Sequence, residues 1–213
     1  MVVVRVCKPG KRYLAPFSLG AIRSFLMYAS VMNEQDILNL IGNDSRMMET
    51  LHAAASINLP QWMIGAGFVR NKVWDYVHEY PTNTRPTDID LVYFDPNDVY
   101  DPKQIEQKLV LMMPGLDWEV VNQATAHPFN DEEPYASSID AVSKWPETAT
   151  AVAVTLRVGS LQLITPLGIE DLLNVVARAT PAFMVSEEKR ARVQERIRSK
   201  KWKEKWPNLQ IVL

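Results

Sequence analysis

Cysteine is almost absent from the chain: Cys7 stands alone, so no disulfide can close within it, and the expected setting is a reducing compartment, with the cytoplasm as the default. Histidine is nearly as scarce. His52, His78 and His127 lack the spacing of metal ligands, and each reads as a surface or packing residue. Neither sign of charge prevails. A formal net charge of −2 and a pI near 6.0 exclude a protein whose whole surface is a nucleic-acid binder, although a local basic patch survives. Long apolar runs are missing too. The stretch SLGAIRSFLMYASVM is interrupted by Arg23 and falls short of the about 20 residues that cross a bilayer. It carries no signal-peptide cleavage pattern, so neither export nor membrane contact is expected. No repeat or low-complexity tract occurs. What remains is ordinary globular material, 47% hydrophobic and 23% charged over 213 residues, enough for one sizeable core.

The order of apolar spacing supplies the elements. Residues 2–7 fit either a short strand or an unstructured start. From Asn33 the spacing predicts two helices broken at Gly42-Asn43-Asp44, the second capped by Asp44 or Ser45. WMIGAG reads as a short strand that ends in a glycine turn, and FVRNKVWDYVHEY as the helix that follows. A loop over 81–86 leads to the strand DIDLVYFD. Next come a helix with Ile105, Leu109 and Met112 inward, the strand WEVVNQATAH, a short helix near SSIDAVSKWP and a hairpin turning at 158–160. LGIEDLLNVVARA and a charged tail from Glu187 to about Trp206 read as helices. This order predicts an α/β (α+β) chain, a mixed sheet with flanking helices.

Within that frame, DIDLVYFD is anomalous. Aspartate is a poor strand residue, and Asp88 and Asp90 flank one isoleucine. Residues two apart on a strand project from one face, so the two carboxylates lie a few ångströms apart and repel. A divalent cation relieves that repulsion, and magnesium takes one or two carboxylates together with phosphate oxygens and waters. Glu119, just inside the next strand, can supply a third acid. The turn Gly65-Ala66-Gly67 opens a helix whose first amides are unpaired donors suited to phosphate. A phosphate cradle beside paired aspartates is equipment for chemistry on a nucleoside triphosphate. The plainer readings stay beside this one: a tight turn without a ligand, Asp88 capping a turn with Asp90 solvated, Glu119 as an exposed edge acid, and Arg70 paired with Asp75 or Glu79 on its own helix. Asn122 and Gln123 either line an acceptor pocket or face water.

The order of glycine turn, helix, Asp-hydrophobic-Asp strand and later acid resembles the nucleotidyltransferase superfamily, the fold of DNA polymerase beta, aminoglycoside adenylyltransferases and tRNA CCA-adding enzymes. GAGFVRN is similar to the Gly-Gly-x-Val-Arg-Asp motif of the CCA-adding group, with Ala66 in place of the first glycine and Asn71 in place of the aspartate. Together with WEVVNQA, WPETATAVAV and KKWKEKWP, these stretches resemble a bacterial nucleotidyltransferase-like family formerly described as a domain of unknown function. The resemblance implies a nucleotidyltransferase-like domain over residues 45–213, closed by a C-terminal helix and preceded by an extension over 1–44 that is helical in its second half. It implies nucleotide binding at Gly65, Ala66, Gly67 and Arg70, and Mg2+ or Mn2+ held by Asp88, Asp90 and Glu119. The implied reaction moves a nucleoside monophosphate from an NTP, ATP among them, to an acceptor that is a small molecule, a protein or RNA. Two alternatives stay open: a non-catalytic nucleotide-binding or protein-interaction module that retains the fold, and a phosphoester hydrolase using the same acids.

The tail invites two readings as well. From Glu187 to Lys205 nine Lys or Arg stand against four Glu. Those cations can meet RNA phosphates or a triphosphate. Trp202 and Trp206, four apart, instead mark a helix that packs an aromatic stripe on the body and leaves its basic side in water.

Overall fold

The computed structural model describes residues 32–213; the expectation for residues 2–7 lies outside them. Asn33 caps α1 (Glu34–Gly42) with a reciprocal pair: its side chain accepts from the Gln35 and Asp36 amides, and the Asp36 carboxylate accepts from the Asn33 amide. Asp44, rather than Ser45, caps α2 (Ser45–Ile57) by accepting from the Met47 amide at 3.1 Å. Ile37 and Ile41, one turn apart on α1, are fully buried and join Leu51 and Ala54 of α2 in the main core.

The remaining elements, in chain order, are β1 (Met63–Gly65), α3 (Gly67–Val77), β2 (Ile89–Tyr93), α4 (Pro102–Met112), β3 (Trp118–Asn122), α5 (Gln123–Ala126), α6 (Ser138–Ser143), β4 (Ala153–Arg157) and β5 (Ser160–Ile164). These are followed by α7 (Glu170–Leu173), β6 (Val176–Arg178), α8 (Pro181–Met184), α9 (Glu187–Ser199), α10 (Trp202–Lys205) and β7 (Gln210–Val212). The main sheet runs β3-β2-β1-β4-β5, with β2 and β3 parallel across the α4 crossover and the other pairs antiparallel. It is the mixed sheet with helices that the segment order predicts. A second, two-stranded parallel sheet joins β6 to β7.

The departures from the sequence reading have local causes. WEVVNQATAH stops being a strand at Asn122, whose side chain accepts from the Ala124 amide and starts α5. That side chain is buried and exchanges hydrogen bonds with the Asp95 backbone at 3.0 and 2.9 Å, so it braces a turn and lines no acceptor pocket. LGIEDLLNVVARA is helical only through Leu173; Val175 turns left-handed at φ 54° and the β-branched run becomes β6, which finds β7 as its partner. The charged tail breaks at Lys201, φ 53°, into α9 and α10. Met112 points outward while Ile105 and Leu109 are buried.

The β4–β5 hairpin turns through Val158 and Gly159, both at positive φ (48° and 78°), the backbone of a type I′ turn that favours Asn-Gly. Val158 is fully exposed and its branched side chain suits that region badly. Val158→Asn is therefore expected to raise stability by about 1 kcal/mol in chemical denaturation, without touching the candidate site.

Candidate active site

The acidic pair stands where β2, an interior strand of the sheet, begins. Ile89, Leu91 and Tyr93 are buried in the main core, so Asp90, between two of them in sequence, is directed to the opposite face. Asp88 precedes the strand by one residue, and both aspartates line one narrow cleft. Glu119 is directly in register with Asp90 on the neighbouring parallel strand. Burial, then the Asp88 charge and then that of Glu119, push the Asp90 carboxyl up to about 7. Glu119 itself is exposed. Among the described residues no three His, Cys, Asp or Glu side chains close around a single point.

The loop that delivers Asp88 is tied down by another aspartate. Asp75, buried on α3, accepts from the Thr84 amide, from the Thr84 hydroxyl at 2.8 Å and from Trp206 Nε1 at 2.8 Å. One carboxylate thus anchors both the 81–87 loop and the chain's end. Its partners are these, and Arg70 does not pair with it.

The glycine turn divides into three distinct roles. Gly65 sits under Trp145: a Cβ built there would lie 2.5 Å from the indole ring and 3.0 Å from the Val152 carbonyl. Its small size therefore serves packing. Ala66 adopts φ 49°, ψ −119°, a region in which glycine is at ease and a side chain is not. The backbone keeps a glycine conformation at the one position where the sequence departs from the motif's first glycine. Ala66→Gly is expected to raise stability by about 1 kcal/mol, read as a higher melting temperature. Gly67 begins α3, whose first turn receives no side-chain cap, and it lines the same cleft as the acids. Unpaired donors and a helix dipole at such a start are of the kind that suits an anion.

Arg70 rises from the first turn of α3 into a box of three indoles. Its guanidinium carbon lies 4.1 Å from the Trp202 ring centre, 5.3 Å from that of Trp74 and 5.6 Å from that of Trp206. The side chain is buried; Nη2 donates to Asn71 Oδ1 at 2.7 Å, and Nε has no hydrogen-bond partner. Burial, partly countered by Glu147, pushes its pKa down to about 10. Asn71, in place of the motif's aspartate, holds Arg70 through a neutral amide oxygen.

Two of the tail's cations and one loop arginine, none singled out in the sequence, join the cleft. Arg196 and Lys200, four apart on α9 and just beyond it, line the cleft with Arg85 of the loop. Lys200 Nζ lies 3.5 Å from Asp88 Oδ2. Arg196 Nε lies 3.4 Å from the fully buried Glu147, which also accepts from Thr150 at 2.6 Å. The tail's tryptophans do pack on the body as their spacing implies: Trp202 and Trp206 meet Trp74 edge-on at 5.9 and 5.0 Å. Its basic side is divided, since these two residues turn toward the acids. The signal was the i, i+4 pair Arg196/Lys200 beside the apolar stripe of Val193 and Ile197.

The result is a cleft with acids on its sheet wall, and cations and an uncapped helix start on the others. Two like carboxylates with one pushed up to about 7 form a donor set that gains from a divalent cation, so Asp88 and Asp90 fit one. Arg70, Arg196 and Lys200 oppose them, as phosphates require.

A sequence profile described as "Nucleotidyltransferase" matches residues 52–211. No curated protein resembles the chain closely enough to match. Among solved structures, one described as revealing a CCA-adding enzyme head domain is 35% identical, covers 86% of this chain and 98% of its own, and superposes with a TM-score of 0.76. A Thermotoga maritima CCA-adding enzyme complexed with tRNA is 15% identical over 91% of this chain and 42% of its own, TM-score 0.48. The latter value is too low to bear on function.

Proposed function

The chain belongs to the nucleotidyltransferase family, and on that footing we propose that it transfers a nucleoside monophosphate from an NTP to an acceptor, with Mg2+ or Mn2+ as cofactor. The single observation that supports this reading most is the convergence in one cleft of Asp88 and Asp90 with Gly67, Arg70, Arg196 and Lys200.

Asp88 and Asp90 would hold the metal, which when bound supplies a Lewis acid that neutralises charge on the reacting phosphate. The start of α3 at Gly67 offers amides to the triphosphate, and Arg70 sets a buried guanidinium behind them. Gly65 and Ala66 fix the turn's shape. Arg196 and Lys200 balance the charge of the departing pyrophosphate. Lys200, on Asp88 in the described state, exchanges the carboxylate for a phosphate as nucleotide arrives. Glu119, exposed beside Asp90, receives the acceptor's proton. In this reading the chain's contribution is to hold these groups together around the reacting phosphate, as a phosphoryl-transfer site requires.

A screen of α-labelled triphosphates with magnesium or manganese and cell extract tests the reading. Label should move to an acceptor while pyrophosphate appears. Nucleotide binding without turnover in any fraction identifies a non-catalytic module. Release of free nucleotide without acceptor identifies a hydrolase.

A further inference from the structure

Across the Thr84–Thr87 loop from the acidic cleft lies a cavity of about 370 Å3. The cleft itself measures only about 20 Å3. The larger space falls in the range of small-molecule pockets, about 300–1,000 Å3. Met47 of α2, Phe68 of α3, Ile89 of β2 and Leu116 ahead of β3 give it apolar walls. The two spaces share Asn71, Arg85, Pro86 and Thr87 as lining. Thr87 also donates to Asp88 at 3.0 Å, so whatever fills the cavity ends beside the acidic pair.

The charged groups of the cavity are unevenly matched. Lys72 is neutralised by Asp44 at 2.8 Å, and Asn83 donates to the same carboxylate at 2.8 Å. That network fastens the 81–87 loop to the start of α2. Arg46 and Arg85 form no ion pair or side-chain hydrogen bond among the described residues, and Asp117 is the one remaining carboxylate of the lining. Two unpaired guanidiniums against one carboxylate select a ligand with a negative charge of its own. A nucleobase can accept hydrogen bonds from a guanidinium but brings no charge to offset two of them. The triphosphate's charges are already met in the cleft by Arg70, Arg196 and Lys200.

Resting on the reading proposed above, we infer that this cavity is the acceptor pocket, and that the acceptor is a small molecule with an apolar, ring-sized body, an anionic group held by Arg46 and Arg85, and a hydroxyl directed past Thr87 toward the acids. That hydroxyl oxygen forms a bond to the α-phosphorus while the bond from that phosphorus to the bridging oxygen breaks. The broken bond's electron pair leaves with pyrophosphate, and the hydroxyl proton passes to Glu119.

The dye 8-anilinonaphthalene-1-sulfonate, an apolar ring system with one sulfonate, serves as the probe, with the full chain and magnesium α,β-methylene-ATP as a nucleotide that cannot be cleaved. Enhanced dye fluorescence is expected in the presence and absence of the analogue alike. Arg46→Glu, on an exposed helical position, should weaken dye binding about tenfold or more. Leu116→Trp, which fills the cavity from its rim, should abolish it. Both variants should keep a cooperative melt and bind the analogue as before. Dye binding that neither substitution changes, or that the analogue displaces competitively, overturns the acceptor pocket. Failure of the underlying reading has a different signature: the unsubstituted protein would not bind the analogue with magnesium, whatever the dye does.

Discussion

Asp90→Asn will abolish pyrophosphate release, by about a thousandfold or more, and will at the same time stabilise the metal-free protein at pH 8. Both effects follow from one carboxyl pushed up to about 7 by burial and by the charges of Asp88 and Glu119. Between about pH 4 and 7 the folded chain holds a proton on Asp90 that the unfolded chain has lost. Stability of the metal-free protein therefore falls as pH rises through that window, and by pH 8 the loss from this group is complete. An asparagine does not titrate. The variant should gain about 4 kcal/mol over the parent at pH 8 and almost nothing from this source near pH 4. Magnesium should raise the parent's melting temperature at pH 8 and leave the variant's unchanged. Thermal melts in chelator and in magnesium, at the two pH values, read out every part. A variant that is less stable at pH 8 than at pH 4 relative to its parent would show that Asp90 carries no uncompensated charge.

Trp202→Ala is the second change with a large expected effect. Trp202 is almost fully buried, meets Trp74 edge-on and forms the nearest face under the Arg70 guanidinium. Removing the indole should cost about 4 kcal/mol, the range for a buried tryptophan. It should also weaken nucleotide binding more than any exposed substitution of the tail, because Arg70 loses its platform and α9, with Arg196 and Lys200, loses its anchor. Trp202→Phe keeps an aromatic face and should recover most of the binding and part of the stability. Equilibrium denaturation with titration of magnesium α,β-methylene-ATP separates the two losses. Intact affinity in a destabilised Trp202→Ala protein would mean that the tail is structural only.

The candidate site was legible to the extent that it is local. Asp88 and Asp90 could be placed on one side because strand period is two, and the glycine turn could be placed at a helix start because the apolar spacing changes there. Glu119 fell into register with Asp90 once the crossover made their strands neighbours. The contributions that escaped come from tertiary contact. Nothing within residues 61–98 announces that Gly65 must make room for Trp145, or that Asp75 holds Trp206 and Thr84 together. Glu147 is an unremarkable residue in WPETATA, yet it is fully buried beside Arg196. The basic tail looked divided between phosphate contact and a packed aromatic stripe, and it does pack its stripe while turning two cations to the acids. One misread element has a tertiary cause: VVAR chose a strand because β7 lies beside it, which spacing alone does not reveal.

The most direct measurement is anomalous diffraction at the manganese edge from crystals grown with Mn2+ and α,β-methylene-ATP. A peak is expected between the Asp88 and Asp90 carboxylates, with the triphosphate reaching from that ion to the start of α3 and Arg70. Manganese bound elsewhere, with the two carboxylates bare and the nucleotide outside the cleft, would contradict the proposed function.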